Sequence, residues 1–487
     1  MTQKTKQKSN YLLVILMSFT IQMLFGSNVE SKAFQQQTSY SIKLNGIAIE
    51  YQATVGLMPI YNQKHQLMAT MSYISYHQLN ADGARPLTFI WSGGPGASSL
   101  TDNFLVSGPK IVDLNSGNIA TNPETWLKHT DLVYIDMVGT GWGRPVSETF
   151  EKEIYTPNGD ARTFSEFIKA YLIQTKYKQS EIYLSGVSYG GYRAPLVATN
   201  LLKNFIGISG IILQSPLLRP SYSFGEYDNL MSFILSLPTY TQAALHYHKL
   251  SQKRQDNPRA TILESEIWSI NEYPKYLLSG TSLTPLQLKQ LENKLHDYTG
   301  LSKEVIRNCN YRLSMSTFRD HLINDENKSI DYTNATMSNY KLTDTYDFYI
   351  FTMKSVMESF TLLYTPAMHY LATNMKVEFP EEYVNYFDPS QVWHSHNSEV
   401  VSILRDDMII DPNMRLFVGV GYYDTDIPYM VTKTLINQMY PADLKKRIEL
   451  HEYKGGHMFS FKPAIRKNFN QDIANFFKNS KLSDNAL

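Results

Sequence analysis

The chain has 487 residues, of which 43% are hydrophobic and 18% charged, with 45 Lys and Arg residues against 45 Asp and Glu residues. This composition is typical of a globular protein with a large core and excludes a disordered or collagen-like chain. The balanced charge offers no basic surface for nucleic acid, so we expect no nucleic-acid partner. The single cysteine, Cys309, excludes an intramolecular disulfide and a thiolate metal cluster, because both need at least two thiols.

Residues 1–27 have the pattern of a secretory signal peptide. Three lysines within the first ten residues precede an apolar run of about 15 residues, and small residues follow it. The run falls short of the roughly 20 residues of a membrane-spanning helix, so we expect no stable membrane anchor after cleavage. Secretion of a chain with one cysteine favours a bacterial-type secreted or periplasmic protein.

The mature chain begins with strand patterns. From about Tyr40 to Leu79, polar and apolar residues alternate and the alternation breaks at Asn45-Gly46, which predicts antiparallel strands joined by a turn. Short apolar runs with glycine-rich ends follow, and such continuous runs are typical of strands covered on both faces. They are Pro86 to Trp91, Asp131 to Asp136, Glu181 to Leu184, Ile208 to Leu213, Arg415 to Val420 and Ile448 to Tyr453.

Apolar residues at helical spacing between Phe164 and Leu172 predict a crossover helix and therefore a parallel βαβ unit. The predicted fold class is α/β, with a mostly parallel central sheet flanked by helices. Helical patterns without a clear buried strand interrupt this rhythm, and they predict a mainly helical cap at residues 217–392. The sheet core is then divided into residues 40–216 and 393–487.

The sequence Gly186-Val187-Ser188-Tyr189-Gly190 lies between a predicted strand and a predicted helix. A nucleophile elbow requires this context, because glycines on either side allow the tight turn that presents a serine hydroxyl at the sheet edge. Ser188 is therefore the candidate nucleophile. A serine hydroxyl needs a base within hydrogen-bond reach and an acid that orients the base.

The base and acid are expected downstream, each after a strand. The last strand runs into Gly455-Gly456-His457, which makes His457 the candidate base. The preceding strand runs into Asp424-Thr425-Asp426, and the residues alone do not separate the two aspartates as the candidate acid.

The loop Trp91 to Ser99 follows a strand, and its glycines allow the close backbone approach that an oxyanion hole needs. The amide of Tyr189, directly after the nucleophile, is the second expected donor. A phosphate-binding loop is excluded, because no Lys-Ser or Lys-Thr follows the glycines and the loop contains a proline. His394 and His396 lack a third ligand nearby, so we expect loop residues rather than a metal site, and no cofactor.

Together these motifs resemble the serine carboxypeptidase family over most of the chain, from about Tyr40 onward. The resemblance rests on four segments, which are Gly93 to Ser99, Asp136 to Gly141, the Ser-Tyr-Gly-Gly elbow at Ser188, and Gly456-His457-Met458. The spacing of the family's acid motif between Gly421 and Pro428 selects Asp424 over Asp426. Details of the sequence are more similar to bacterial members than to plant or fungal ones.

The resemblance implies an α/β-hydrolase fold with an inserted cap and release of residues from peptide C-termini. It implies that Gly94 and Tyr189 donate the oxyanion hydrogen bonds. The implied partner is a peptide or protein substrate, and the oligomeric state stays open.

The chain departs from the family where the substrate's terminal carboxylate binds. The family has an asparagine before the oxyanion glycines and two glutamates, and the corresponding residues here are Ser92, Val187 and Val106. Protonated carboxyls hold a carboxylate at acid pH, and valines cannot, so we expect altered end recognition and no strong acid optimum. Trp91 is then a candidate pocket wall, and Arg193 a candidate substitute contact.

Two other functions remain open. An esterase or acyltransferase can use the same residues, because an acyl-enzyme can be passed to another acceptor. A binding protein on a hydrolase scaffold is the non-catalytic alternative. A proline-specific aminopeptidase shares the Gly-Gly-Pro-Gly loop, but the length of the cap and the C-terminal motifs argue against it.

Overall fold

A nine-stranded sheet forms the centre of the computed structural model, which describes residues 34–483 except 82, 176, 224–228, 342–353, 380 and 395–398. The predicted signal peptide lies outside the described residues. The strands are β1 (Phe34–Leu44), β2 (Ile47–Tyr61), β3 (Leu67–Gln78), β4 (Leu87–Trp91), β5 (Lys110–Val112), β6 (Ile119–Thr121), β7 (Asp131–Ile135), β8 (Ile182–Val187), β9 (Gly210–Gln214), β10 (Lys328–Ile330), β11 (Ser338–Tyr340), β12 (Arg415–Gly421) and β13 (Ile448–Tyr453).

The strand order in this sheet is β1-β2-β3-β7-β4-β8-β9-β12-β13. The first three strands and the β3–β7 pair are antiparallel, and every pair from β7 to β13 is parallel. This topology confirms the predicted α/β class with a mostly parallel sheet. The hairpins β5–β6 and β10–β11 lie outside it.

Helices cover both faces of the sheet and form most of the segment between β9 and β12. They are α1 (Glu148–Ile154), α2 (Pro157–Gln174), α3 (Tyr189–Leu202), α4 (Pro220–Ser223), α5 (Leu230–His246), α6 (Gln252–Gln255), α7 (Pro258–Asn271), α8 (Tyr273–Ser279), α9 (Pro285–Thr299), α10 (Lys303–Asn308), α11 (Met315–His321), α12 (Lys354–Thr373), α13 (Val400–Ile410), α14 (Tyr429–Asn437) and α15 (Pro463–Ser483). No helix in the described part of the chain has both the length and the apolar character that a membrane crossing requires.

Each central strand contributes to two hydrophobic cores, one on each face. Successive side chains of a strand point to opposite faces, and in β12 Val418 joins one core while Phe417 joins the other. On the second face Phe417 packs edge-on against Phe469 and Phe476 of α15. Burial on both faces explains why the strands read as continuous apolar runs.

Parallel strands bring their carboxyl ends to one edge of the sheet. The ends of β4, β8, β12 and β13 therefore lie along the same edge, and each of these strands leads into one of the motifs found in the sequence.

Candidate active site

Ser188 occupies the turn between β8 and α3. Its backbone has φ of 55° and ψ of −122°, a conformation that residues with a side chain rarely adopt. Three backbone hydrogen bonds hold the turn. The Ser188 amide donates to the Gln214 carbonyl at 2.9 Å, and the Ser188 carbonyl accepts from the amides of Gly191 at 2.8 Å and Leu217 at 3.1 Å. The serine side chain lines a cavity at the carboxyl edge of the sheet.

Gly190, two residues after the serine, is packed against β4. A Cβ atom added at Gly190 would lie 2.7 Å from the Ser92 carbonyl oxygen and 2.9 Å from Trp91 Cδ1. Only a glycine fits there without a shift of the strand. Trp91 itself is fully buried and donates from its indole nitrogen to the Gly190 carbonyl at 2.9 Å. Trp91 therefore supports the elbow from behind, in place of the pocket wall that the sequence suggested.

His457 pairs with Asp424 through Nδ1. The Nδ1–Oδ2 distance is 2.9 Å, and both side chains are buried. The other Asp424 oxygen accepts from the amides of Asp426 at 3.0 Å and Ile427 at 2.8 Å, so the carboxylate is fixed from both sides. Of the two aspartates, Asp424 is the one at the nitrogen that an orienting acid must reach.

Asp426 lies near the other ring nitrogen of the same histidine. Its Oδ2 is 3.7 Å from His457 Nε2. Burial of the ring would lower the pKa of His457, but the charge of Asp424, the hydrogen bond that His457 donates to it and the charge of Asp426 raise the pKa to about 9. Carboxylates beside both nitrogens therefore stabilise the imidazolium, the form that results when His457 takes a proton.

The glycine loop after β4 rests directly on the elbow. A Cβ atom added at Gly93 would lie 2.8 Å from the Tyr189 amide nitrogen and 2.9 Å from Ser188 Cβ. Gly93 and Gly94 both line the cavity beside Ser188. The loop backbone thus packs close to the Tyr189 amide beside Ser188.

The cavity has a volume of about 140 Å³ and receives residues from the sheet edge and from the segment between β9 and β12. Its side chains are mostly apolar or aromatic, around the polar groups of Ser188 and His457. Its lining consists of Ser92, Gly93, Gly94, Ala97, Thr101, Val187, Ser188, Leu217, Tyr332, Phe360, Tyr386, Asp426, Ile427, His457 and Met458.

The three residues at the positions where the family binds the substrate's terminal carboxylate differ in their access to this cavity. Ser92 and Val187 line it. Val106 lies in a buried π-helical turn, Asp102–Ser107, and its carbonyl accepts hydrogen bonds from the side-chain amides of Asn122 and Asn470. Val106 is therefore part of the support beneath the site.

Arg193 is buried and is held by contacts within the protein. Its Nε donates to Asp160 at 2.7 Å, and Nη1 donates to the Ser92 carbonyl at 3.0 Å. The guanidinium stacks over Phe164, 4.2 Å from the ring centroid, and the side chain is 1% exposed. Arg193 thus positions the loop at Ser92 and has no access to substrate, which excludes the substitute contact considered from the sequence.

Asp102 is a buried carboxyl that sequence analysis missed. Ser92 Oγ donates a short hydrogen bond to Asp102 Oδ2, and Thr101 Oγ1 lies 3.2 Å from Ser92 Oγ. Burial raises the pKa of Asp102 to about 6, against hydrogen bonds from Ser92 and Thr101 that lower it. No sequence signal marks Asp102, because the π-helical turn that directs it toward Ser92 has no residue signature.

Sequence analysis also missed the segment 331–335, which holds the loops that carry Asp424 and His457. The His457 amide donates to the Thr333 carbonyl at 2.7 Å, and Thr425 Oγ1 donates to the Asp331 carbonyl at 3.0 Å. The Ala335 amide donates to the Tyr423 carbonyl at 2.8 Å. The Asp-Tyr-Thr pattern is typical of the Asx turn that Asp331 forms here, but a local turn pattern does not reveal a distant partner.

His394 is placed by its backbone amide, which donates to the Tyr155 carbonyl at 3.0 Å, whereas His396 lies outside the described residues. The absence of a metal or cofactor stays a prediction.

Comparison with known proteins places the chain among serine hydrolases of one family. A family model described as serine carboxypeptidase matches residues 50–470. A carboxypeptidase Y homolog from Arthroderma benhamiae is 30% identical over 142 residues, 28% of each chain. A serine carboxypeptidase S10 family member from Dictyostelium discoideum is 27% identical over 184 residues, 36% of this chain and 42% of the relative. The chain thus spans less than half the length of these curated relatives.

A solved structure has the same fold. The crystal structure of a prohormone-processing carboxypeptidase from Saccharomyces cerevisiae superposes with a TM-score of 0.56 at 14% sequence identity, covering 88% of this chain and 91% of the other.

Proposed function

Because the chain belongs to the serine carboxypeptidase family, we propose that it is a secreted serine-type carboxypeptidase that releases residues from peptide C-termini. The observation that carries this proposal is the alignment of Asp424, His457 and Ser188 along one sheet edge. The 2.9 Å contact between His457 Nδ1 and Asp424 fixes the ring so that Nε2 is free for proton transfer. Ser188 lines the same cavity as His457.

In the proposed reaction Ser188 Oγ attacks the carbonyl carbon of the last peptide bond while His457 Nε2 takes the hydroxyl proton. The amides of Gly94 and Tyr189 donate to the oxygen that becomes negatively charged. His457 then gives its proton to the leaving nitrogen, the C–N bond breaks, and an acyl-enzyme remains on Ser188. Water, deprotonated by His457, hydrolyses this ester and restores the serine.

The positions of Asp424 and Asp426 around the His457 ring support a different role for each aspartate. Asp424 accepts a hydrogen bond from Nδ1–H and keeps Nε2 available as the base, and it stabilises the imidazolium that forms during attack. Asp426 faces the cavity instead, and is not in a position to orient the ring through Nδ1.

The test is mass spectrometry of an N-blocked peptide, with a free or an amidated C-terminus, after incubation with enzyme. We expect stepwise loss of C-terminal residues from the free acid, and a loss of activity on the order of 10⁴-fold or more in Ser188→Ala if the three residues act as a unit. A fluorophosphonate should label the wild type and not Ser188→Ala. Turnover of the variant near the wild-type rate contradicts the proposal. Hydrolysis of a small ester with both peptides intact favours an esterase or acyltransferase.

A further inference from the structure

A carboxypeptidase must hold the terminal carboxylate of its substrate at a limited distance from its base. The leaving nitrogen receives a proton from His457 Nε2 and so lies about 3 Å from it. The carboxylate carbon is two covalent bonds beyond that nitrogen, roughly 2.5 Å away. A donor to a carboxylate oxygen lies about 3.4 Å beyond that carbon, so a group that binds this carboxylate lies within about 9 Å of His457 Nε2.

The residues at the family's carboxylate-binding positions cannot do this here. Val187 has no polar side-chain atom. Ser92 has one hydroxyl proton, and the hydroxyl donates it in the hydrogen bond to Asp102, so that proton is not available to a substrate carboxylate. Among the described residues that line the cavity, none is a lysine or an arginine.

Asp426 meets the distance requirement. Its Oδ2 lies 3.7 Å from His457 Nε2, and its side chain, 15% exposed, lines the cavity with Ser188. Asp426 is also the one carboxyl among the described lining residues. The aspartate that competed for the acid role in the sequence therefore occupies the position from which a substrate's end can be recognised.

We propose that Asp426, in its protonated form, donates a hydrogen bond to the terminal carboxylate of the substrate and so takes over the role of the family's glutamates. This inference rests on the proposed function and names a specificity-determining residue for it. It also revises the expectation that the loss of the glutamates removes the preference for acid.

The surroundings of Asp426 raise the pKa of its carboxyl above the ordinary value. Burial is the largest effect and raises the pKa of Asp426, and the charge of Asp424 raises it further. The charges of His457 and Arg319 and a hydrogen bond from Tyr332 lower it, and the net shift is upward. Arg319 acts from behind Tyr332, with its guanidinium 4.4 Å from the ring centroid. Only a protonated carboxyl can donate to a carboxylate.

Asp426 and His457 lie close enough to titrate as a coupled pair. When the pair holds one proton, that proton is shared between two arrangements, an ion pair or a neutral acid beside a neutral imidazole. A bound carboxylate stabilises the arrangement with the proton on Asp426. Substrate binding thereby also leaves His457 neutral, as its role as base requires.

The experiment compares two N-acyl dipeptides with the same scissile bond, one ending in a free carboxylate and one in an amide. The ratio of their kcat/KM values is measured from about pH 5 to 9, so that requirements common to both substrates cancel. In the wild type we expect this ratio to fall about tenfold per pH unit once the pair loses its last proton, because only the free acid needs that proton.

Three variants test the assignment. In Asp426→Asn the amide donates at every pH, so we expect a ratio that does not change with pH. In Asp426→Ala we expect a ratio roughly 10- to 100-fold lower at the acid end, the loss typical of a hydrogen bond to a charged group. Asp102→Asn, which changes the carboxyl behind Ser92, should keep the pH dependence of the wild type.

The inference is overturned if the kcat/KM ratio of Asp426→Asn keeps the pH dependence of the wild type. It is also overturned if the ratio of Asp102→Asn does not change with pH, because recognition of the carboxylate would then depend on Ser92. Fluorophosphonate labelling of each variant shows that its site is formed. If the wild type prefers the free acid by a ratio that does not change with pH and Ser188 is labelled, the inference fails alone. If neither dipeptide is cleaved, the proposed function fails with it.

Discussion

Replacing Asp424 by asparagine tests the assignment of the orienting acid. The pKa of His457, about 9 against an ordinary value of about 6.5, corresponds to roughly 3 kcal/mol of net stabilisation of the imidazolium by its two carboxylates. Loss of the larger contribution, that of Asp424, should cost roughly 10²-fold in rate. An asparagine amide facing Nδ1 also favours the tautomer with the proton on Nε2, which cannot act as base, so we expect a total loss on the order of 10³- to 10⁴-fold in kcat.

The assay is hydrolysis of a p-nitrophenyl ester, which has no terminal carboxylate and reports on Ser188 and His457. Asp426→Asn is the matched comparison, because it makes the same isosteric change two residues further on, beside Nε2. We expect its effect on ester kcat to stay below about tenfold. A larger loss in Asp426→Asn than in Asp424→Asn would refute the reasoning, since it would mean that Asp426 orients the ring.

Three further outcomes follow from the same geometry. Asp426→Asn should shift the acid limb of the pH profile of ester kcat/KM to lower pH. The substitution removes a charge that raises the pKa of His457, so the neutral base persists at lower pH. A shift of the acid limb to higher pH would contradict this. Gly190→Ala should lower the free energy of unfolding by roughly 1–3 kcal/mol through overpacking against β4, and wild-type stability in denaturant unfolding would count against the described packing. Arg193→Met should lower the free energy of unfolding by about 3–5 kcal/mol, because it leaves the carboxylate of Asp160 buried without its ion-pair partner. The double variant with Asp160→Asn should recover part of that loss of stability. Additive losses in the double variant would argue against the ion pair.

The strands were predictable because burial on both faces forces a continuous apolar run. Their ends were less so. The run at Glu181 predicts a strand that stops at Leu184, whereas β8 continues to Val187. Gly186 and Val187 are held in the strand by pairing with Leu213 and Gln214 of β9, and a partner so distant in sequence leaves no local signal.

The motif residues of the site were found because a tight turn and a sheet edge require particular residue types at fixed spacings. The separate positions of Asp424 and Asp426 around one imidazole were not predictable, because they depend on where β13 delivers His457. Arg193 was misjudged for a similar reason. Its ion pair with Asp160 joins two helices, and neither helix reveals the other's register.

The hydrogen bonds from the His457 and Thr425 loops to the segment 331–335 have a consequence for engineering. We expect that a cap exchanged between relatives to change substrate preference must include this segment. Without the segment, the new protein loses the backbone support of His457 as well as the old specificity. Shortening the cap across the segment would have the same effect. In this chain the segment 331–335 and the loop of His457 are joined through the histidine backbone, so we expect that they must be redesigned as one unit.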